Sequence, residues 1–308
     1  MLYLLLIGCA VGLAIKPHFN AFAPLYTPEA FAAEQPLPFP QWLADFTGCT
    51  EWPGMNPPYI PLDFVNLDSL PENLENWIHA EGVCGNVASS AACSFDCYNC
   101  VMSEDVHTCP SLTQTFDDGP SPFTPTLTSA LTTPLTFFTI GVNVVRFPQI
   151  YRDTANKGHI MGCHTWLHPF LPGQTNTQIV AQIEWLIWAM NATYGHLPKW
   201  FRPPYGGIDN RVRAIIHQFG MQAVLWDFDT FDWQLAANND DFGTDAMYGS
   251  VSNFIESNDH RGLILEHDSM AHTVNIGIHL HGLIGLEQMT VPQCAGGIDY
   301  MKNFNFDK

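Results

Sequence analysis

Two histidines spaced at i and i+4, in His164-Thr165-Trp166-Leu167-His168, follow a paired carboxylate, Asp117-Asp118-Gly119-Pro120. These residue types supply what a three-ligand catalytic zinc site needs: two neutral imidazoles, one anionic oxygen donor and an open position for substrate. The second carboxylate is left beside the ion to act as a base. Alone, Asp-Asp-Gly-Pro reads as a solvated turn and the histidines as surface residues. The two motifs together point to metal-assisted hydrolysis. Nitrogen and oxygen donors with a vacancy fit Zn2+, and other divalent ions such as Co2+ fit the same set. Residue types do not say which aspartate holds the ion and which is the base.

The elements that must position these side chains begin at Leu112, where strand-like and helix-like runs start to alternate, the pattern of a parallel sheet or barrel. Leu135–Ile140 and Gly158–Gly162 read as buried strands, with a short helix over Phe147–Lys157 between them. Leu112 alone gives apolar character to the strand before Asp117, and Gln114 interrupts it, so that strand is expected to be short or frayed. Thr175-Asn176-Thr177-Gln178 matches a capping box, and Ile179, Ile183, Leu186, Ile187 and Met190 form one apolar helix face that stops at Gly195. Trp185 and Trp188 on this helix read as packing residues. Asp209 caps a second helix, with Val212, Ile215, Ile216 and Phe219 inward and Gly220 as its stop. Met221–Phe228 reads as one strand and Gly262–Leu265 as the last. His164, the Asp229–Trp233 segment and His267 then all follow strand C-terminal ends, which in a β/α barrel converge on one mouth.

The 308 residues, 46% of them hydrophobic, suffice for one large α/β domain with an added segment. A net charge of −19 repels nucleic acid and anionic lipid, and describes an extracellular protein without naming its substrate. Leu2–Ile15 is too short to span a bilayer but suits a signal-peptide core, and Ala21-Phe22-Ala23 offers a cleavage site, giving residues 1–23 as a leader. No basic residue precedes the run, so a signal anchor or buried strand is the alternative. The polar C-terminus carries no hydrophobic anchor tail, so no membrane insertion is expected after the leader is removed. Residues 24–109, rich in Pro, Asn, Ser and Cys, read as a loop-dominated, disulfide-stapled segment ahead of a main domain at 110–308. Of nine cysteines Cys9 falls in the leader, and an even remainder in a secreted chain implies disulfides. Cys97-Tyr98-Asn99-Cys100 has the spacing of half a structural zinc site, but without a second such pair disulfides are the favoured reading in an oxidising compartment. Asn191-Ala192-Thr193 is a glycosylation acceptor.

Five motifs, Thr115-Phe116-Asp117-Asp118-Gly119-Pro120, His164-Thr165-Trp166-Leu167-His168, Arg202-Pro203-Pro204-Tyr205-Gly206, Asp229-Thr230-Phe231-Asp232-Trp233 and Leu265-Glu266-His267, resemble in order those of the polysaccharide deacetylases. That group is also called carbohydrate esterase family 4 or the NodB-homology domain, and the flanking sequence looks most like its fungal chitin deacetylases. The resemblance spans roughly residues 105–295. It implies an α/β fold, a distorted (β/α) barrel incomplete on one side. It also implies Asp117 as base, Asp118, His164 and His168 as metal ligands, and Arg202 paired with Asp117. The Tyr205 backbone N–H would donate to the oxyanion, His267 would be the acid with Asp232 raising its pKa, and Trp233 and Leu265 would line an acetyl pocket. Cys163 departs from the small residue usual beside the first histidine, and its thiol could pair with another cysteine or compete for the ion.

The activity implied is removal of N-acetyl groups from N-acetylglucosamine units of chitin by a secreted, extracellular or cell-wall enzyme, releasing acetate and leaving chitosan. Two alternatives remain: an O-acetyl esterase acting on xylan-type polysaccharide with the same machinery, and a non-catalytic protein that binds wall glycan. The latter should lack a ligand, base or acid, and none is missing.

Overall fold

The computed structural model describes residues 35–70, 78–85, 87, 92–238 and 241–304. The leader expected over residues 1–23 lies outside them. Seven strands form one wholly parallel sheet: β1 (Thr113–Asp117), β2 (Thr136–Thr139), β3 (Ile160–Cys163), β5 (Trp200–Phe201), β6 (Gln222–Ala223), β7 (Phe228–Asp229) and β8 (Leu263–His267). Their order is β6-β5-β3-β2-β1-β8-β7, while β4 (His196–Pro198) and β9 (Tyr300–Asn303) make a separate antiparallel pair.

The sheet curls almost onto itself. β6 and β7 lie on opposite edges, yet the chain passes from Ala223 to Phe228 directly; at most about 3.5 Å per residue keeps those edges within roughly 18 Å of each other. Met221–Phe228 is therefore two short strands and not the single strand expected. Val224 N–H donates to Phe201 O at 2.8 Å on one edge and Asp227 N–H to Leu263 O at 3.2 Å on the other, so the run is divided by the partners it meets. The outcome is the incomplete barrel the resemblance implied.

Strand periodicity sorts the core into layers. Phe138, Ile160, Trp200 and Leu263 fill the barrel interior with Val106, Val224 and Val291, while Phe116, Phe137, Met161 and Cys163 face the helices outside. The outer layer includes the Asn176–Tyr194 helix, where the capping box of Thr175 and Gln178 forms and Gly195 ends the helix in a left-handed turn (φ 70°). Trp185 is buried there and Trp188 packs against the same core. The Asn210–Gln218 helix starts as expected, with Asp209 accepting from Val212 N–H.

The first strand is neither short nor frayed: all five residues are buried and paired with β8, and Thr115, Phe116 and Asp117 pair with β2 as well. Gln114 is tolerated because its amide is satisfied where a leucine would have packed. Its Nε2 donates to Glu266 Oε1 and to Gly277 O, both at 2.9 Å, and its Oε1 accepts from Gln288 at 3.0 Å. The Ala271–Ile284 helix comes this close because Gly277 lacks a side chain; a Cβ there would meet Phe116 at 2.8 Å.

The segment before Cys109 shares this core. Leu43 and Phe95 are buried in it, and Arg213 donates to Asp105, Cys93 O and Cys100 O. Cys84–Cys97, Cys93–Cys100 and Cys109–Cys294 are disulfides, so Cys97 and Cys100 are not half of a zinc motif. Cys163 is a free, buried thiol on the outer face, pushed up to about 12 by burial. It neither pairs nor joins the metal-ligand group, which corrects the reading of the remaining cysteines as a fully paired set. No helix among the described residues is long and apolar enough to cross a membrane.

Candidate active site

The parallel strands deliver their C-terminal ends to one mouth. Asp117 ends β1 beside His267 at the end of β8, His164 follows β3, Arg202 follows β5 and Asp229 ends β7. The His164–His168 stretch is a tight loop and not a helix, pinned by His168 N–H to Thr165 Oγ1 at 2.9 Å and by Leu167 N–H to Gln182 Oε1 at 2.9 Å. The backbone is left-handed at Asp118 (φ 77°), Thr165 (69°), His168 (60°), Tyr205 (59°) and Phe231 (53°). Such conformations in non-glycine residues are uncommon and cluster where geometry is imposed for function.

One ligand atom each from Asp118, His164 and His168 lies within 4.8 Å of the others. Asp118 Oδ1 is 3.5 Å from His164 Nε2 and 3.3 Å from His168 Nε2. His164 Nδ1 meets Arg202 O at 2.8 Å; a carbonyl only accepts, so Nδ1 donates there and Nε2 is the ring nitrogen turned toward Asp118. Burial, partly offset by Asp118, pushes His168 down to about 4, so that imidazole is neutral at pH 7. Asp118 itself is opposed by burial but held well below the usual carboxylate range by His168 and His164. Among the described residues its Oδ1 has no hydrogen-bond partner although it is buried. Three candidate ligand atoms clustered this closely, with one orphaned oxygen, fit a divalent cation. The other grouping of donors, His79, Asp96 and Cys97, is not equivalent because Cys97 is in a disulfide.

Asp117 stands outside that triad, its Oδ2 3.7 Å from His164 Nε2. Its Oδ1 accepts from Arg202 Nη1 at 2.9 Å, and the same nitrogen donates to Thr115 Oγ1 at 2.7 Å. Arg202 is fully buried, with Nη2 donating to Leu225 O at 3.2 Å and the guanidinium 4.3 Å from the Phe138 ring. At the end of the neighbouring strand Asp232 grips His267 twice: Oδ1 takes Nδ1 at 2.7 Å and Oδ2 takes the backbone N–H at 2.9 Å. Burial opposes a charged imidazole there, but Asp232 and the other carboxylates raise it to about 10. Trp233, partly buried, donates its backbone N–H to Asp232 Oδ1 at 2.8 Å. Leu265 is buried on the face it shares with His267, outside the core clusters. Tyr205 is 46% exposed, its ring 4.5 Å from that of His168.

Three supporting residues had no role in the reading of the sequence. Thr115 completes the Arg202 socket. Asp229, raised to about 6 by burial, accepts from Phe231 N–H at 2.8 Å. Asp268, raised to about 7 by burial, bonds Thr124 and lies against Gly119, where any Cβ would collide with its carboxylate. Each immediately adjoins or lies within a motif, which is the signal by which they could have been found.

Three donors able to hold a cation, beside one aspartate and one imidazole at the C-terminal mouth of a parallel barrel, make the arrangement of a hydrolase site. The chain belongs to the polysaccharide deacetylase family. It matches the family model "Polysaccharide deacetylase" over residues 105–224. It is 53% identical to Chitin deacetylase 2 of Saccharomyces cerevisiae over 87% of this chain and 84% of that protein. To Chitin deacetylase 1 of the same yeast it is 52% identical, over 87% of both. The solved chitin deacetylase of Colletotrichum lindemuthianum superposes with a TM-score of 0.56 at 25% identity, covering 63% of this chain and 92% of that one.

Proposed function

We propose that the protein is a secreted, Zn2+-dependent chitin deacetylase that removes N-acetyl groups from N-acetylglucosamine units, releasing acetate and leaving chitosan. Residues 110–308 carry the chemistry, behind a leader at 1–23 and the disulfide-stapled segment at 24–109. Asp118, His164 and His168 would hold Zn2+, or Co2+ in its place, which would supply Lewis acidity to the acetamide carbonyl and acidify water. Asp117, paired with and aimed by Arg202, takes the proton as water attacks. The backbone N–H of Tyr205 donates to the developing oxyanion. His267, oriented by Asp232, protonates the departing glucosamine nitrogen, and Trp233 and Leu265 enclose the acetyl methyl. Strong identity to two yeast chitin deacetylases supports chitin as the substrate class.

The observation that carries this reading is the spare carboxylate: Asp117 is 3.7 Å from His164 yet committed to Arg202 and free of the triad. A glycan-binding protein without catalysis has no use for it. The test is acetate release from chitin oligomers by purified, zinc-loaded protein, with acetyl-xylan in a parallel arm. Wild type is expected to release acetate from the oligomers, and Asp117→Ala to lose roughly two to four decades in rate. Equal rates for the two proteins would refute the assignment. Turnover of acetyl-xylan alone would make the enzyme an O-acetyl esterase.

A further inference from the structure

Phe231 places an apolar ring where neither the core nor the chemistry above calls for one. It is 51% exposed, and its backbone sits at φ 53°, a conformation a bulky residue adopts only when its surroundings impose it. They do so from both sides. Asp229 Oδ1 accepts from Phe231 N–H at 2.8 Å, while buried Thr230 donates Oγ1 to Leu265 O at 2.9 Å and accepts from Asp232 N–H at 3.4 Å. Two side chains thus clamp the turn and keep the ring in solvent, directly beside the aspartate that grips His267.

Tyr205 repeats the pattern on the other flank, 46% exposed and left-handed at φ 59°. Tyr205 follows β5 and Phe231 follows β7. In the order β6-β5-β3-β2-β1-β8-β7, the strands ending in Asp117, the His164 loop and His267 lie between them. The cation cradle and the base are thus carried by strands lying, in sheet order, between the two that present exposed rings at the same mouth.

We propose that Phe231 is a sugar-stacking, specificity-determining residue. Its ring takes the C–H-rich face of a pyranose unit adjoining the one that is deacetylated, so the polysaccharide crosses the mouth from the Tyr205 side to the Phe231 side. This rests on the polysaccharide reading above. A flat apolar ring beside a hydrolytic centre suits a pyranose, whose face is apolar and whose hydroxyls remain in water at the edge. The occupant is the remainder of the same chain whose acetyl group reacts, because the turn that presents Phe231 is continuous with Asp232 and hence with His267. The strain at Phe231 is then retained for binding and serves nothing in folding.

Three variants test this. Phe231→Ala in the zinc-loaded enzyme is expected to raise KM for a chitin pentamer about three- to tenfold, with kcat within about twofold and a smaller effect on a dimer. Phe231→Gly relieves the left-handed strain, so it should melt at or above the wild-type temperature while showing the same KM defect. A merely structural phenylalanine would instead lose stability and leave KM alone. In metal-free protein, Phe231→Trp should change its emission saturably with pentamer, beyond any change in wild type. An unchanged pentamer KM in both the Ala and Gly variants, or no added signal in the Trp variant, overturns the inference. Oligomer binding seen by Phe231→Trp in a protein that releases no acetate would uphold stacking and defeat the deacetylase reading. Acetate release with unaltered KM would do the reverse.

Discussion

A carboxylate as buried as Asp117 needs a cation beside it, and Arg202 is that cation. The guanidinium reaches Asp117, Thr115 and the Leu225 carbonyl at once, which a lysine ammonium has no geometry to do. Arg202→Met leaves the carboxylate unpaired, and breaking a buried pair from one side costs about 3–5 kcal/mol. Thermal melts should show a large drop in Tm, with Arg202→Lys falling between. His267 gives a pH prediction. Its pKa in the folded chain, about 10, lies above the ordinary 6.5. The stabilisation from its charged form is therefore fully present below about 6.5 and lost as pH rises through about 10. Asp232→Asn removes the chief raising partner, so the alkaline limb of the kcat/KM profile should move down by about one to three pH units. At this scale the grouping of Asp118, His164 and His168 and the pairings Asp117–Arg202 and Asp232–His267 were legible, since aspartate and histidine in ordered motifs carry their chemistry openly. Thr115, Asp229 and Asp268 were not, because threonine or aspartate beside a motif looks like any polar neighbour until the fold turns it inward. The left-handed backbone at Thr165 and Phe231 was equally hidden, since neither residue type announces it.

At the scale of elements, what local chemistry decides was readable and what partners decide was not. Thr175 and Asp209 cap their helices because capping needs only the next three residues. The division of Met221–Phe228 depends on two sheet edges far apart in the chain, and the burial of Gln114 depends on Glu266, Gly277 and Gln288. That polar cluster behind β1 makes its own prediction. Burial raises Glu266 to about 8 from an ordinary 4.5, and its Oε2 has no hydrogen-bond partner among the described residues. The folded chain therefore keeps a proton that the unfolded chain releases, and stability falls as pH rises from about 4.5 to about 8. Glu266→Gln retains an acceptor for Gln114 without the charge. It should melt near the wild-type temperature at pH 4.5 and above it at pH 8, by roughly 2–4 °C for each kcal/mol relieved. A variant less stable at both pH values would contradict this account of the cluster.

For the whole molecule, Cys109–Cys294 ties together residues 185 positions apart and encloses every strand of the curled sheet. Closing so long a loop restricts the unfolded chain by about 5 kcal/mol in the chain-entropy model, so Cys109→Ser/Cys294→Ser should melt well below wild type in guanidinium titrations. The barrel thus holds five strand ends in one ring, and the ring makes three acceptors meet. The most direct test is acetate release from a chitin oligomer as zinc is titrated into chelator-stripped protein. The account predicts no release without zinc, a linear rise to one equivalent per chain and a plateau beyond it, with the rise absent in His164→Ala. Full activity in the stripped protein, or an undiminished titration in His164→Ala, would contradict it.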